Sequence, residues 1–396
     1  MFERHSGGER VILVALDFGD PDYDEAVAEL RLLAQGAGLE ILGEVQGKRS
    51  RPDAALFVGS GKADEIAALV LATSADVVIF NHELSPAQER NLERRLQCRV
   101  IDRVSLILDI FARRAQSAEG KLQVELAQLQ HLSTRLVRGW THLERQRGGV
   151  GMRGPGEKQL ETDRRLIGVR VKALRERLSK LQKQRRTQRR ARGRRQVLSV
   201  ALVGYTNAGK STLFNALTRA GAYAADQLFA TLDTTTRKIH LPATDEAARA
   251  ADSGRYFEVV LSDTVGFITR LPHSLVEAFR ATLEATAEAD LLLHVIDAAS
   301  AARERQIEAV DKVLEEIGAS QVQQVRVYNK VDLAGIAPGV GRDEYGKLQS
   351  VYVSAKTGAG LELLREALSE ILSCMRSTDT TTAADAATSQ LSVLSN

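Results

Sequence analysis

Short apolar runs alternate with amphipathic segments along the first 115 residues. Val11–Leu16 is a continuous apolar run that predicts a buried strand, and Tyr23–Leu33 has the three-and-four spacing of a helix. Further strands are predicted at Leu39–Val45, Ala55–Val58, Val77–Phe80 and Cys98–Ile101. Strands that alternate with helices are typical of an open α/β sheet. The pattern therefore predicts an N-terminal α/β domain over residues 1–115.

The hydrophobic period becomes heptad-like near residue 117. One stripe consists of Leu122, Leu126, Leu129, Leu136 and Leu143, with Trp140 at a seam position, and a second consists of Ile167, Val171, Leu174, Leu178 and Leu181. Two such segments separated by a break predict an antiparallel helical hairpin. We assign residues 116–196 to it.

A third pattern begins at Val197–Val203, an apolar run that predicts a buried strand. Further buried-strand patterns follow, so residues 197–376 are predicted to form a third domain with an α/β fold. The tail 377–396 is rich in Ser, Thr and Ala and is predicted to be disordered.

The break in the hairpin, Arg147–Lys158, contains five glycines and one proline in twelve residues. Such a long tip is either a flexible connector or a recognition loop. In the second case glycines would let the backbone approach a polyanion, and Arg147, Arg153 and Lys158 would meet phosphates.

A basic run follows the second stripe. Residues 182–195 carry eight cations and no acid. A solvated face is one interpretation, an anionic membrane surface is another, and nucleic acid is the favoured partner because the run has no apolar insertion face. The predicted phosphate contacts are Arg185, Arg186, Arg189 and Arg190.

The third domain opens with the phosphate-loop pattern G-x-x-x-x-G-K-S at Gly204–Ser211. Backbone N–H groups of such a loop cradle phosphate, and Lys210 would reach the β- and γ-phosphates. Ser211 would ligate Mg²⁺. The flanking strand and helix patterns are the context that the motif requires.

Guanine is indicated by Asn329–Asp332, an N-K-x-D sequence after a predicted strand. The Asp332 carboxylate would accept hydrogen bonds from guanine N1–H and the 2-amino group, which adenine cannot donate. Ser354–Lys356 follows the next strand, as a second base-contacting loop would.

The γ-phosphate would be sensed by two further segments. Asp263–Gly266 is a D-x-x-G motif after an apolar run, and Asp263 would hold Mg²⁺ through water. Phe229–Asp233 supplies Thr231, whose hydroxyl and carbonyl would complete the site. The predicted GTP-binding residues are Gly204, Tyr205, Thr206, Asn207, Ala208, Gly209, Lys210, Ser211, Thr212, Phe229, Ala230, Thr231, Leu232, Asp233, Asp263, Thr264, Val265, Gly266, Asn329, Lys330, Val331, Asp332, Ser354, Ala355 and Lys356.

Phe267 follows the D-x-x-G motif, where Ras-like enzymes have a water-positioning glutamine. A phenyl ring cannot orient water. We therefore predict slow intrinsic hydrolysis and name no water-orienting residue.

Two smaller features lie in the first domain. Gly59–Lys62 is either a plain strand-to-helix turn or a phosphate contact, and Ser85–Pro86 predicts a capped helix start. His82 and His294 are interpreted as a surface loop residue and a satisfied strand residue. The cysteines, Cys98 and Cys374, form no disulfide framework, and no apolar run predicts a membrane span.

With these motifs in place, the sequence resembles the HflX family of ribosome-associated GTPases. The resemblance rests on Gly59–Lys62, Asn81–Gln88, Arg147–Arg165, Phe229–Asp233 and Asp263–Phe267, and it covers about residues 10–373. It implies an α/β N-terminal domain, a helical hairpin and a Ras-like domain. Two departures are Thr234, where proline is expected, and the long polar segment Ala243–Arg255.

The resemblance also implies partners. These are GTP and GDP, Mg²⁺, the large ribosomal subunit with its RNA, and ATP at the N-terminal domain. The expected function is a Mg²⁺-dependent GTPase that remodels or splits stalled ribosomes, with hydrolysis stimulated by the ribosome. The alternative is an RNA-binding or ATP-driven RNA-remodelling protein regulated by its GTPase domain. We expect a cytoplasmic monomer, and peripheral membrane association is the rival location.

Overall fold

The computed structural model describes residues 9–136, 155–193, 197–218, 228–229, 231–242, 256–268, 283 and 286–375. The chain divides into two compact units. The first contains residues 1–185, 226–233 and 269–280, and the second contains residues 186–225, 234–268 and 281–396.

The first unit contains a four-stranded parallel sheet in the order β2-β1-β3-β4. Its elements are β1 Arg10–Asp17, α1 Tyr23–Gly36, β2 Glu40–Lys48, α2 Ser60–Thr73, β3 Val77–Phe80, α3 Pro86–Leu96, β4 Arg99–Asp102, α4 Arg103–Arg114 and α5 Ala118–Leu136. Buried aliphatic residues of β1 and β3 form the centre of its core. The predicted α/β alternation is confirmed.

One predicted strand is wrong. Residues 55–58 form a turn, which is closed by an isolated bridge between Asp53 and Phe57. The Asp53 carboxylate accepts hydrogen bonds from the N–H groups of Ala55 and Leu56, and Phe57 has a φ of 62°. A local aspartate turn outweighs the apolar pattern here. Gly59–Lys62 therefore follows a turn, and it does open α2.

The predicted helix entry at Ser85 is confirmed. The Ser85 hydroxyl accepts from Gln88 N–H, the Gln88 side chain accepts from Ser85 N–H, and Pro86 begins α3. This is a complete capping box. His82 is half-buried and lies against the rings of Phe18 and Phe57. It therefore packs against the first unit, which corrects its interpretation as a surface loop residue.

The helical region consists of α5 and a long helix, α6, over Pro155–Gly193. Leu126 packs with Leu174 and Leu178, as the heptad stripes predict, and Arg170 pairs with Glu125 at 2.6 Å. The basic run continues α6 as far as Gly193 instead of leaving it. Trp140, Leu143 and most of the glycine-rich tip lie outside the described residues.

The second unit contains a seven-stranded mixed sheet in the order β10-β11-β9-β8-β5-β7-β6. Its elements are β5 Leu198–Val203, α7 Lys210–Thr218, β6 Thr235–Pro242, β7 Tyr256–Asp263, β8 Leu291–Asp297, α8 Arg303–Glu316, β9 Gln324–Asn329, α9 Val331–Ala334, β10 Gly339–Arg342, β11 Leu348–Tyr352 and α10 over residues 361–375. The central strands are parallel, and β6 and β10 pair antiparallel at the two edges. This topology brings the carboxyl ends of β5, β7, β8 and β9 to one edge of the sheet, where α/β proteins bind ligands.

Candidate nucleotide-binding site

The loop between β5 and α7 has a backbone that requires glycine. Gly204 has a φ of 148° and Gly209 a φ of 92°, which are both in the region that L side chains rarely adopt. A Cβ at Gly209 would lie 2.2 Å from Nδ2 of Asn329. The motif glycines therefore allow both the turn and a close approach to the N-K-x-D loop.

Lys210 begins α7 and is only 6% exposed. Its ammonium donates hydrogen bonds to the carbonyl oxygens of Gly204 (3.0 Å) and Tyr205 (2.8 Å). Burial lowers the pKa of Lys210 to about 8, and the charge of Asp263 opposes this shift. A buried cation is thus fixed beneath the loop, where it can stabilise anionic phosphate.

Ser211 and Asp263 lie side by side. The Ser211 hydroxyl donates to Oδ2 of Asp263 at 2.7 Å, and Asp263 is 2% exposed at the end of β7. A hydroxyl and a carboxylate are hard oxygen donors, which Mg²⁺ prefers. The residues present therefore fit a magnesium site.

Gly266 and Phe267 are held against the phosphate loop through their backbones. A Cβ at Gly266 would lie 2.9 Å from the Lys210 ammonium. Phe267 N–H donates to the Gly204 carbonyl (3.1 Å), and Phe267 accepts from Thr206 N–H (2.7 Å). The phenyl side chain is 3% exposed, so it packs in the core instead of facing a reacting water molecule.

Asn329 ends β9 and connects two loops. Its Nδ2 donates to the Ala208 carbonyl at 2.9 Å, and its Oδ1 accepts from Ala355 N–H at 2.9 Å. The side chain is 2% exposed. The structure thus brings the phosphate loop, the N-K-x-D loop and the Ser354–Lys356 loop together.

Lys330 has a partner that the sequence did not indicate. The residue has a left-handed φ of 63°, and its Nζ lies 2.8 Å from Oδ2 of Asp297, the last residue of β8. The sequence feature that could have indicated this partner is the acidic residue at the end of the apolar strand before the N-K-x-D strand. Asp332 is exposed in the first turn of α9. In the loop after β11, Ser354 is buried and Lys356 is exposed.

The described part of the Phe229–Asp233 segment lies in the first unit. Phe229 is buried with its ring edge-on to Phe111, with centroids 4.7 Å apart. The Asp233 carboxylate accepts from Gln116 N–H, Ser117 N–H and the Ser117 hydroxyl. No local sequence pattern indicated these contacts. Ala230 lies outside the described residues.

The predicted RNA contacts divide between two regions. Arg147 and Arg153 lie outside the described residues, whereas Lys158, Arg185, Arg186, Arg189 and Arg190 fall on α6.

His294 lies in β8 and is 1% exposed. Its Nδ1 lies 3.8 Å from a carboxylate oxygen of Asp311 and has no hydrogen-bond partner among the described residues. Burial, with the charges of Arg326 and Lys210, lowers its pKa to about 4. His294 is therefore a neutral core histidine. The sequence interpretation of a satisfied side chain is wrong for Nδ1, which has no hydrogen-bond partner among the described residues.

A strand–loop–helix phosphate loop, a D-x-x-G turn and an N-K-x-D strand end, all on parallel strands of one mixed sheet, define a P-loop GTPase. Family models agree with this class. Residues 24–112 match the GTP-binding GTPase N-terminal model, residues 114–192 match the GTP-binding GTPase middle region, and residues 199–330 match the model described as 50S ribosome-binding GTPase.

Curated relatives specify the family. The chain is 56% identical to the GTPase HflX of Escherichia coli over 94% of this chain and 85% of the relative. It is 49% identical to the GTPase HflX of Caldanaerobacter subterraneus over 91% of this chain and 80% of the relative. The chain belongs to the HflX family of GTPases.

A solved structure of a GTP-binding protein from Sulfolobus solfataricus in complex with GDP is also similar. It is 22% identical, with a TM-score of 0.46, over 92% of this chain and 99% of that chain.

Proposed function

We propose that this GTPase is Mg²⁺-dependent, binds the large ribosomal subunit, and uses GTP to remodel or split stalled ribosomes, with hydrolysis stimulated by the ribosome. The observation that carries the proposal is the buried Phe267, in a domain that matches a family model described as 50S ribosome-binding GTPase. Such a site contains its phosphate-binding groups but needs a partner for fast hydrolysis.

Phosphate binding is assigned to residues 204–212. The N–H groups at the start of α7 face the anion, and the Lys210 ammonium neutralises charge that develops on the β–γ bridge. Because Gly204 and Tyr205 carbonyls already fix this ammonium, little reorganisation is needed when the phosphate charge increases.

Magnesium is assigned to Ser211 and Thr231 as direct ligands and to Asp263 through water. When bound, the ion would neutralise β- and γ-phosphate charge. The 2.7 Å contact between Ser211 and Asp263 supports this donor set. The Gly266 N–H would sense the γ-phosphate, together with Thr231.

Guanine recognition is assigned to Asn329, Lys330, Asp332 and the loop 354–356. Asp332 would accept two hydrogen bonds from guanine, while the Lys330 stem would pack on the ring. The ion pair between Lys330 and Asp297 holds that stem in place. Asn329 acts by joining the base loops to Ala208.

Hydrolysis requires a water molecule in line with the γ-phosphate. Phe267 cannot orient it, and its main chain is fixed against the phosphate loop by two hydrogen bonds. We infer that the ribosome, or a group that becomes ordered on it, supplies the missing positioning.

Ribosomal RNA is the proposed partner of the hairpin tip and of the basic end of α6. A helix that carries the cations of residues 183–192 can follow a phosphate backbone without base readout. Arg147, Arg153 and Lys158 are the proposed contacts at the tip. Their number would set the salt dependence of binding.

The test is GTP turnover by the full chain with and without purified large subunits and with excess Mg²⁺. We expect low basal turnover and a strong stimulation. If large subunits leave the turnover of the native chain unchanged, the ribosome role is wrong.

The alternative, an ATP-driven RNA-remodelling activity in the first unit, rests on Gly59–Lys62. The structure offers a packing role for this glycine, because Nη1 of Arg49 lies 2.1 Å from the position of a Cβ at Gly59. Lys62 is paired with Glu65 at 2.8 Å. ATP binding that survives Lys62→Ala unchanged would remove the predicted site.

A ribosomal partner also supports a cytoplasmic location. Among the helices that the structure describes, none combines the length and the apolar character that a membrane span requires. Peripheral association is tested by sedimentation with anionic vesicles at physiological salt, where we expect no binding. We expect light scattering to give the mass of a monomer.

A further inference from the structure

The start of α5 receives the carboxylate of Asp233. Gln116 N–H and Ser117 N–H each donate to Oδ2 at 2.8 Å, and the Ser117 hydroxyl donates to Oδ1 at 2.5 Å. Ser117 also caps the helix, because its hydroxyl accepts from Gly120 N–H at 2.8 Å. One aspartate thus uses three donors at a helix N-terminus, where a negative charge is favoured.

The residues before Asp233 are packed into the same unit. Leu228 and Phe229 are buried, and Phe229 contacts the edge of Phe111 on α4. The Leu228 backbone lies within 4.0 Å of the position of a Cβ at Gly36. The segment is therefore anchored on both sides of Thr231, two residues before it and two residues after it.

The other end of the segment enters β6. Thr235 lies directly opposite Asp263 in the β6–β7 pairing. Thr231 is four residues from this pair, a span of at most about 14 Å in extended chain. A short stretch of chain therefore ties Thr231 to the strand that pairs with β7.

We propose that Ser117 and the first turn of α5 position Thr231 for the GTPase reaction by holding Asp233. Ser117 and Gly120 lie outside the nucleotide motifs, and they act through Asp233 instead of touching the nucleotide. This inference rests on the proposed role of Thr231. If residues 228–233 are released from α5, they gain conformational entropy. That entropy is lost when Thr231 binds GTP, so the affinity for GTP falls.

Gly120 offers a direct test. A Cβ there would lie 2.0 Å from Oδ1 of Asp233, so Gly120→Ala displaces the carboxylate. The same change raises helix propensity, so α5 itself should not be weakened. The matched control is Gly168→Ala on α6, where a Cβ meets nothing within 4 Å.

Affinities for GDP and for a non-hydrolysable GTP analogue are measured on the full chain with Mg²⁺. For Gly120→Ala we expect about tenfold weaker analogue binding, on the scale of one hydrogen bond to a charged group, and unchanged GDP binding. Ser117→Ala should act in the same direction, and Ser117→Thr should restore most of the loss. Analogue binding that is unchanged or tighter in Gly120→Ala overturns the inference.

Thr231→Ala separates this inference from the proposed function. If Thr231→Ala weakens the analogue but Gly120→Ala does not, only the positioning role fails. If Thr231→Ala has no effect, the assigned role of Thr231 fails, and the inference fails with it. Gly120→Ala combined with Thr231→Ala should be no weaker than Thr231→Ala alone, because Gly120 acts through Thr231.

Discussion

The Asn329 side chain donates a hydrogen bond from Nδ2 to the Ala208 carbonyl at 2.9 Å, across 121 positions of sequence. Both atoms are buried, and Oδ1 of the same side chain accepts from Ala355 N–H. A residue of the guanine motif is therefore also the connection between the base loops and the phosphate loop. Loss of this side chain should affect every guanine nucleotide.

Asn329→Ala should weaken GDP and GTP alike. It leaves the Ala208 carbonyl and Ala355 N–H buried without their partner, at about 1–3 kcal/mol each. We expect about a hundredfold loss of GDP affinity by titration. The control is Asn91→Ala, which removes an exposed 3.0 Å hydrogen bond to Ala55 in the first unit. Equal GDP affinity in the two variants would contradict the connecting role.

Gly209→Ala should abolish tight nucleotide binding. The substitution places a Cβ 2.2 Å from Nδ2 of Asn329 and strains a φ of 92°. Gly318→Ala is the matched control, because its φ of 76° is also strained but a Cβ there meets nothing within 4 Å. Backbone strain in both variants, with GDP affinity lost only in Gly209→Ala, is the expected result. Loss of affinity in both would indicate a general effect of strain.

Asp332→Asn should shift the preference from guanine toward xanthine nucleotides. The carboxylate accepts from the 2-amino group of guanine, whereas an amide can donate to the 2-oxo group of xanthine. Competition between GDP and XDP measures the shift, which we expect to exceed about tenfold in each direction. GTP affinity that stays at the native value would show that Asp332 does not face the base.

His294 should make the second unit less stable in acid. Its folded pKa is lowered to about 4 from 6.5, so the unfolded chain binds a proton between these values that the folded chain does not. The free energy of unfolding should therefore fall by about 2 kcal/mol from pH 7.5 to pH 5. Denaturant titrations of the native chain and of His294→Gln and His294→Leu should show a shallower decrease in both variants. An identical pH slope in all three would contradict the assignment.

Breaking a buried ion pair should strongly destabilise the first unit. Arg103 and Glu29 are both 5% exposed and paired, and Arg103 also donates to the Asn81 side chain at 2.9 Å. Arg103→Met leaves a buried carboxylate and should cost about 3 kcal/mol of unfolding free energy.

Two variants test that explanation. Glu29→Gln added to Arg103→Met should recover part of the loss, because the uncompensated charge is gone. Arg95→Met breaks the exposed pair with Asp64 and should cost less than about 1 kcal/mol. An equal loss for the buried and the exposed pair would show that burial is not the cause.

Local patterns predicted much of the fold. The run Val11–Leu16 became β1, and the Ser85–Pro86 signal became a capping box, because strand burial and helix capping depend on residues close in sequence. Residues 55–58 failed because four apolar positions could not outweigh the Asp53 turn and a positive φ at Phe57. A short apolar run is weak information when turn chemistry precedes it.

The sequence by itself determined the class of this protein. The phosphate loop, the D-x-x-G turn and the N-K-x-D motif specify their chemistry through residues adjacent in the chain, each after a strand pattern. Tertiary structure alone decided the long-range partners: Asp297 for Lys330, Asn81 and Glu29 for Arg103, and the start of α5 for Asp233. These contacts join residues 22 to 116 positions apart. Such partners depend on how the whole chain packs, and no local periodicity in the sequence predicts them.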